Sequence, residues 1–519
     1  MKKIHILSLI AGCALLWSMP ACTNLDEEVY DTIPADQFGQ TSAQINSIIA
    51  PVYKSLKSTW PGDFFCMIEE TSDMAISPTR RGGDWWDGGA HMEMKLHTWT
   101  ARNNLVRNSW NSCTEGISTC NRVYNIIEKT DMEEALKKRT LFEIRGVRAF
   151  WYYMLIDNFG NAPLAIDFNN TELPGITQRK DLYKFVLDEL NEIKDQLRDD
   201  VTGASYGKFT KGVAYTLLAK MYLNAEVWIG TPNWQGVIDA CNVVMGLPYV
   251  IETDWKASFA VQNQNSRETI FPICFGKADG GNHLNYRTLH YLAPPALGMS
   301  FGTWNGISAQ PDYIKQFDDE DQRKAGSFLL GPLYDPNTGE IITTAHNRPL
   351  IHTIDLTMID GSLKEGTQWG EVNQEDGGRV NKWEWEVGLS SSEMENDFAI
   401  FRLADVYLMK AEALLRMGGD VAEATRLVNV IRERGFGNAE HNYTTVTLDN
   451  LYLERRLELA WENVSRQDMI RFGKFLEPAY LKPDKSPDYR LLFPIPQTAW
   501  ERNPNLKQNP GYPAFSSSN

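Results

Sequence analysis

Catalytic and metal-binding motifs are the first things that this sequence lacks. No HExxH, CxxC or phosphate-loop pattern occurs in its 519 residues, and the eight histidines are scattered. Structural zinc needs closely spaced Cys and His ligands, and nucleotide sites of the phosphate-loop class need a glycine-rich turn before a Lys. The sequence therefore predicts no metal, no cofactor and no enzymatic activity.

Positive charge is also scarce. The chain has 51 Lys and Arg residues against 67 Asp and Glu residues, which gives a formal net charge of -16. Proteins bind nucleic acid largely through Lys and Arg side chains that displace counterions from the phosphates. The acidic composition therefore excludes nucleic acid as a partner.

Cysteines are too few and too irregular for a disulfide framework. Two of the seven, Cys13 and Cys22, fall near the N-terminus, and an odd number remains. Cys113 and Cys120 are seven residues apart, which is two helical turns on one face. This spacing predicts two small buried side chains rather than metal ligands.

Tryptophan, in contrast, is abundant. The chain has 16 Trp residues, and many of them lie in segments rich in Gly, Asn and Asp. A Trp at helical spacing usually packs into a core, whereas a Trp in a polar loop more often belongs to a contact surface. The tryptophans in loops are therefore the first candidates for a binding site.

The first 21 residues have the pattern of an export signal. Two lysines precede an apolar stretch at 4–17 that is too short to span a membrane, and Ala21 precedes Cys22 at a small-residue cleavage site. Cys22 is predicted to become the lipidated first residue of the mature chain. The acidic run at 25–28 resembles the surface-export signal of bacterial lipoproteins. An ordinary secretory peptide cut near Ala21 is the alternative, and both interpretations take the chain out of the cytoplasm.

Apolar residues recur at helical spacing in two blocks, at 141–227 and 401–472. They predict paired amphipathic helices, including a hairpin through Gly418–Gly419 and one helix from about 453 to 472. Between the blocks the chain is rich in Gly, Asn, Trp and Pro, which predicts a loop-rich layer with short strands, one of them at 270–275.

The predicted architecture is one mainly helical, tetratricopeptide-like mature body. We assign a signal peptide to 1–21 and a single binding domain to 22–519. Within it, the helical scaffold occupies about 30–245 and 397–475, the loop-rich ligand-binding layer about 247–396, and an extended tail 476–519.

Several motifs, taken together, resemble the SusD/RagB family of outer-membrane nutrient-binding lipoproteins. They follow the order of the family over nearly the whole mature chain. The segments that carry the resemblance are 145–152 (RGVRAFWY), 158–163, 207–212, 401–408 (FRLADVYL), 454–460 (ERRLELA), 468–473, 493–496 and 503–512.

This resemblance implies a SusD-like helical fold and a non-catalytic binding function. It implies an oligosaccharide or polysaccharide ligand, delivered to a partner TonB-dependent (SusC-like) transporter. It also implies lipid anchoring through Cys22 on the extracellular face of the outer membrane. Some members of the family take peptides, so a RagB-like peptide-binding protein remains an alternative.

The candidate site residues come from aromatic loops. Sugars have apolar C–H faces and a polar rim, so proteins stack aromatic rings on the faces and bind the hydroxyls through amides, carboxylates and Arg. The Gly-rich loop at 84–89 offers this combination, and the resemblance adds the loops at 285–287 and 302–306. The predicted ligand-binding residues are Trp85, Trp86, Tyr286, Tyr291, Trp304 and Asn305, with Trp369, Trp383 and Trp385 as weaker candidates.

The rival class is a surface glycoside hydrolase, which needs two carboxylates facing each other across a sugar cleft. Adjacent acids occur at Glu69–Glu70 and Asp318–Asp319, but neighbours in sequence point in different directions. A third class, structural association with the transporter, is partly contained in the binding interpretation because a surface lipoprotein of this kind also docks on its partner.

Overall fold

The computed structural model describes residues 41–201, 203–278, 280–359 and 370–515. The predicted signal peptide, Cys22, the acidic run at 25–28 and Trp369 lie outside the described residues.

Long helices dominate the first part of the described chain. Many begin at a polar side chain that satisfies free backbone N–H groups, as Asn103 does for Leu105 and Val106. The helices are α1 (Ser42–Thr59), α2 (Asp63–Glu69), α3 (Ala90–Leu96), α4 (Asn104–Glu128), α5 (Glu134–Asn158), α6 (Arg179–Ile193), α7 (Lys211–Leu223), α8 (Ala225–Ile229) and α9 (Trp234–Met245). Helix α5 packs between α4 and α6, and α7 packs on α9.

The later helices are short in the middle segment and longer near the C-terminus. The middle segment contains α10 (Leu284–Thr288), α11 (Pro311–Ile314) and α12 (Gln322–Ser327). They are followed by α13 (Leu403–Arg416), α14 (Val421–Phe436), α15 (Leu448–Glu458), α16 (Ser465–Arg471) and α17 (Gln497–Arg502). Helix α13 packs on α9, α14 and α15, so the C-terminal helices join those of the first block.

The strands of the described chain are short and pair only in twos, all antiparallel. They are β1 (Ala75–Ile76), β2 (Ala162–Pro163), β3 (Ile176–Thr177), β4 (Thr269–Ile273), β5 (Ser308–Ala309), β6 (Phe328–Leu329), β7 (Gly331–Pro332), β8 (Ile351–His352), β9 (Arg379–Val380) and β10 (Phe398–Arg402). The pairs are β1 with β5, β2 with β3, β4 with β10, β6 with β9 and β7 with β8.

The structure confirms the mainly helical class with short strands. The predicted hairpin also has its left-handed turn at Gly418, with a φ of 66°. The prediction of a single helix from 453 to 472 is wrong, because the helix is interrupted between α15 and α16. Trp461 and Asn463 lie there with positive φ angles of 69° and 60°, which a helix does not allow.

One contiguous hydrophobic core draws side chains from both helical blocks and from the middle segment. Trp151 and Trp461 are among its largest fully buried side chains. Cys113 and Cys120 lie on one face of α4 and are buried as predicted, and burial raises the pKa of the Cys120 thiol to about 12. Within the described ranges, no helix combines the length and apolarity needed to cross a membrane.

A buried network of charges joins the middle segment to the C-terminal helices. The guanidinium of Arg402, at the end of β10, is 1% exposed and lies 2.6 Å from Glu268, 3.1 Å from Glu458 and 2.7 Å from Glu462. Arg434 contacts two of the same carboxylates, Glu268 and Glu458. Such a network costs desolvation energy when it forms, but removing one member leaves the others buried and unpaired.

The ionisation of Glu458 follows from this arrangement. Burial alone would raise the pKa of its carboxyl group, but Arg434, Arg402 and Arg323 outweigh burial and hold the pKa at about 2. The charge of Glu458 therefore stabilises the fold fully above the unfolded-state pKa, and this contribution is lost only as the pH falls towards 2.

We predict that Arg402→Gln lowers the free energy of unfolding by about 3–5 kcal/mol, because it leaves buried carboxylates without their cationic partner. The matched control is Arg426→Gln, since Arg426 is 57% exposed and pairs with Glu423 at the surface. This control should cost less than about 1 kcal/mol. Chemical denaturation of both variants checks the prediction, and equal losses would contradict it.

Candidate functional site

Two distant loops meet because two short strands pair. Strand β1 aligns Ala75 with Ala309 and Ile76 with Ser308 of β5. The chain that leaves β1 carries Trp85, and the chain that enters β5 carries Trp304. The pairing therefore places two predicted aromatic residues, 219 positions apart, in hydrogen-bond contact.

Arg80 fixes the two loops to each other. Its guanidinium is completely buried and donates to the backbone oxygens of Asn305 (2.9 Å) and Gly306 (2.9 Å) and to the hydroxyl of Ser308 (2.6 Å). It also donates to the backbone oxygen of Asp376 at 2.9 Å. One side chain thus ties the loop after β1 to the segment before β5 and to the chain near β9.

The aromatic rings form a continuous surface. The indole N–H of Trp85 donates to the backbone oxygen of Trp304 at 2.6 Å, and the two ring centroids are 6.3 Å apart. The centroid of the Tyr286 ring lies 4.4 Å from that of the Trp304 ring. Trp304 is 45% exposed, so its ring is available to a ligand. The guanidinium of Arg287 sits 5.7 Å from the centroid of the same ring.

Close contact at Gly306 decides the position of Trp85. A Cβ atom at Gly306 would lie 2.0 Å from the Trp85 ring, so only glycine leaves room for the indole. Trp85 itself has a positive φ of 63°, a left-handed conformation that is uncommon for a bulky residue. The ring is therefore held by its surroundings rather than by local backbone preference.

A groove of about 540 Å³ lies beside these rings. Its volume falls within the range typical of small-molecule sites. Its wall includes three carboxylates, and the hydroxyl of Tyr291 donates to one of them, that of Asp84. The lining residues are Asp63, Asp84, Trp85, Asp87, His91, Asn104, Leu105, Arg287, Tyr291 and Trp304.

An ion pair of His91 with two carboxylates packs against an aromatic ring of the groove. Nδ1 of His91 lies 2.7 Å from Glu70, Nε2 lies 3.5 Å from Asp87, and the imidazole ring packs 5.1 Å from that of Trp85. Burial alone would lower the pKa of His91, but the carboxylates of Glu70 and Asp87 raise it to about 9. The imidazolium therefore stabilises the fold fully below the unfolded-state pKa, and this contribution is lost as the pH rises through about 9.

The same place gathers three side chains of types that bind metals. The potential ligand atoms of Cys66, Glu70 and His91 all lie within 4.8 Å of one another, and all three side chains are buried. Glu70 also accepts a hydrogen bond from Ser77 at 2.5 Å, and burial raises the pKa of the Cys66 thiol well above its usual range. A protonated thiol and an imidazolium donate to the carboxylate, so the arrangement is a hydrogen-bonded ion pair rather than a set of free ligands.

The predicted site residues separate into two groups. Trp85, Trp304 and Tyr291 line the groove, and Tyr286 extends the aromatic surface next to Trp304. Trp86 packs instead against a separate small cluster made by Ile76, Met92, Leu356 and Val372.

Asn305 also supports the site rather than lining it. Its side chain is completely buried, and its Oδ1 accepts a hydrogen bond from Arg379 at 2.8 Å. Its backbone has a positive φ of 56°, which Asn tolerates better than most residues. These contacts give Asn305 a role in shaping the loop, and its contact with ligand stays a prediction.

Of the weaker candidates, Trp383 and Trp385 do not line the groove. Trp383 is buried in the core, and Trp385 is half-buried and donates to Asn381 at 2.8 Å. Sequence reasoning missed Asp63, His91 and Asn104, which reach the groove from helices. Helical periodicity marks the buried face of a helix, and it gives no sign of which exposed residues line a groove.

Comparison with known proteins identifies the family of the chain. A family model described as "SusD family" matches residues 370–512, and one described as "Starch-binding associating with outer membrane" matches residues 25–223. SusD-like protein P38 of Formosa agariphila is 33% identical over 523 residues, which cover 94% of this chain and 95% of the relative. The chain belongs to the SusD family.

Two further SusD proteins are similar to this chain. The starch-binding protein SusD of Bacteroides thetaiotaomicron is 29% identical over 75% of this chain and 76% of its own length. A solved laminarin-binding SusD-like protein has a TM-score of 0.72 at 21% identity, covering 91% of this chain and 100% of that structure, which shows the shared fold. SusD-family proteins bind carbohydrate without catalysing a reaction, so the chain is not an enzyme.

We predict that Gly306→Ala displaces the Trp85 ring, because the new methyl group would overlap it. The variant should lose about 1–3 kcal/mol of stability and change its near-ultraviolet circular dichroism. Gly302→Ala is the matched control in the same loop, since a Cβ there meets nothing within 4 Å. If both variants behave like the parent protein, the contact between Gly306 and Trp85 is not as described.

Proposed function

We propose that this chain captures an oligosaccharide or polysaccharide at the cell surface and delivers it to a partner TonB-dependent outer-membrane transporter. The observation that carries the proposal is the exposed ring of Trp304, flanked by Trp85 and Tyr286, at the edge of a groove lined by carboxylates.

The chemistry of this arrangement suits a sugar. The exposed indole face offers an apolar surface for the C–H face of a pyranose ring, and burying a face against it excludes water from both. Asp84, Asp87 and Asp63 offer acceptors for sugar hydroxyls at the side of the same groove, and Arg287 and Asn104 offer donors. Stacking and peripheral hydrogen bonds together give affinity and orientation.

The relatives support the ligand class and the location. One is named for starch and one solved structure for laminarin, which are both glucans. The family model that covers residues 25–223 is described as associating with the outer membrane. We extend this to a lipid anchor at Cys22 and an outward-facing body on the strength of the signal sequence and the acidic run that follows it.

We predict that Trp304→Ala weakens binding of the cognate glycan by about 1–3 kcal/mol, roughly 5- to 150-fold in Kd, with little change in melting temperature. Its ring is exposed, and its hydrogen bond with Trp85 is made by the backbone oxygen, which the substitution keeps, so the fold should survive the truncation. The matched control is Tyr334→Ala, which removes another exposed aromatic ring outside the groove.

A glycan array first identifies the ligand. Calorimetric titration then measures its affinity for each variant, and thermal unfolding measures the melting temperature. Wild-type affinity in Trp304→Ala, together with normal folding, would place the binding site elsewhere. Exclusive binding of peptides would favour the RagB-like alternative.

We predict that Cys22→Ala in the native host releases the protein from the outer membrane and reduces uptake of its glycan, since the sulfur that carries the lipid is gone. Cys13→Ala is the control, because Cys13 lies in the part of the signal that is removed. Membrane fractionation and uptake of fluorescent glycan are the measurements. Retention of Cys22→Ala in the membrane would refute the anchor, and unchanged uptake after complete release would refute delivery from the surface.

A further inference from the structure

The charges around the groove point to the class of glycan that it takes, provided that the proposed function holds. We infer that the groove selects neutral glycans and rejects glycans that carry sulfate, phosphate or carboxylate groups.

Carboxylates dominate the lining. Asp84 and Asp87 reach the groove from one loop and Asp63 from the start of α2, and the side chains of Asp63 and Asp87 are 34% and 59% exposed. A fourth carboxylate, that of the buried Glu70, contacts His91 of the lining. Asp87 remains ionised at neutral pH, because its hydrogen bond with His91 lowers the pKa of its carboxyl group.

Each cation of the lining already faces a carboxylate. Nη1 of Arg287 lies 3.8 Å from Asp63, and its guanidinium also sits against the Trp304 ring. His91 is buried between Glu70 and Asp87. Four carboxylates thus stand against two cations, which leaves the groove negative.

The buried arginines behind the groove do not reverse this balance. The guanidinium of Arg80 donates hydrogen bonds to backbone oxygens and to the hydroxyl of Ser308. Its charge, like that of Arg379, faces the carboxylates of Asp376 and Glu375. Neither guanidinium is available to an anionic group in the groove, because both side chains are completely buried.

Neutral and charged sugars differ in how they meet such a surface. A neutral sugar donates its hydroxyl protons to carboxylate oxygens, which are acceptors only. A sulfate or uronate group brings a like charge instead. Two like charges about 6 Å apart weaken binding by about three- to tenfold at the dielectric of a wet surface.

The test compares matched neutral and anionic polymers. Laminarin, starch, their sulfated derivatives, alginate and pectin are tested by affinity gel electrophoresis with the full mature domain at constant ionic strength. We expect retention by a neutral polymer and at least tenfold weaker retention by its sulfated derivative. Equal or tighter binding of an anionic polymer would overturn the inference while leaving glycan capture intact. Retention by none of the polymers would count against the proposed function itself, and the inference would fall with it.

A double substitution tests whether Asp84 and Asp87 cause the selectivity for neutral glycans. Asp84→Asn with Asp87→Asn should raise the ratio of sulfated to neutral binding roughly five- to tenfold, since it removes charge and keeps shape. Asp188→Asn with Asp239→Asn removes the same charge from exposed positions on α6 and α9 and should leave the ratio unchanged. An unchanged ratio in the first variant would show that these carboxylates do not set the selectivity.

Discussion

The hydrogen bonds of the buried Arg80 guanidinium are the interactions on which the candidate site depends. They tie the loop after β1 to the segment before β5 and to the chain near β9. A planar side chain with donors in fixed directions suits this task, because it can bind several carbonyl groups at once. The exposed aromatic surface rests on this clamp, and its rings can stay in place without a ligand.

The helical array contributes the rest of the groove. Asn104 and Leu105 begin α4, Asp63 begins α2, and His91 lies in α3, so one wall is made by helix residues and the other by loops. The buried networks around Arg402 and Glu458 hold the helices and the middle segment together. A rigid wall facing shaped loops is an arrangement in which the loops can change between relatives while the scaffold is kept.

The sequence predicted the helical character and the aromatic loop at 84–89, because periodicity and loop composition are local properties, and the family resemblance added the loop at 302–306. It did not predict that Trp85 and Trp304 meet, since a two-residue strand pair leaves no sequence signal. Nor did it separate Trp85 from Trp86, because a positive φ at Trp85 and the space at Gly306 decide which ring faces the groove. Asn305 was predicted to contact ligand because it lies in a loop that the family resemblance indicated, whereas in the structure its buried side chain accepts a hydrogen bond from Arg379.

A crystal structure of the domain with its cognate oligosaccharide tests directly whether the aromatic surface receives a sugar. We expect a pyranose ring stacked on Trp304, within about 4 Å of the indole, with hydroxyl groups directed at the carboxylates of Asp84 or Asp87. A bound oligosaccharide that contacts neither Trp304 nor Trp85 would contradict the account.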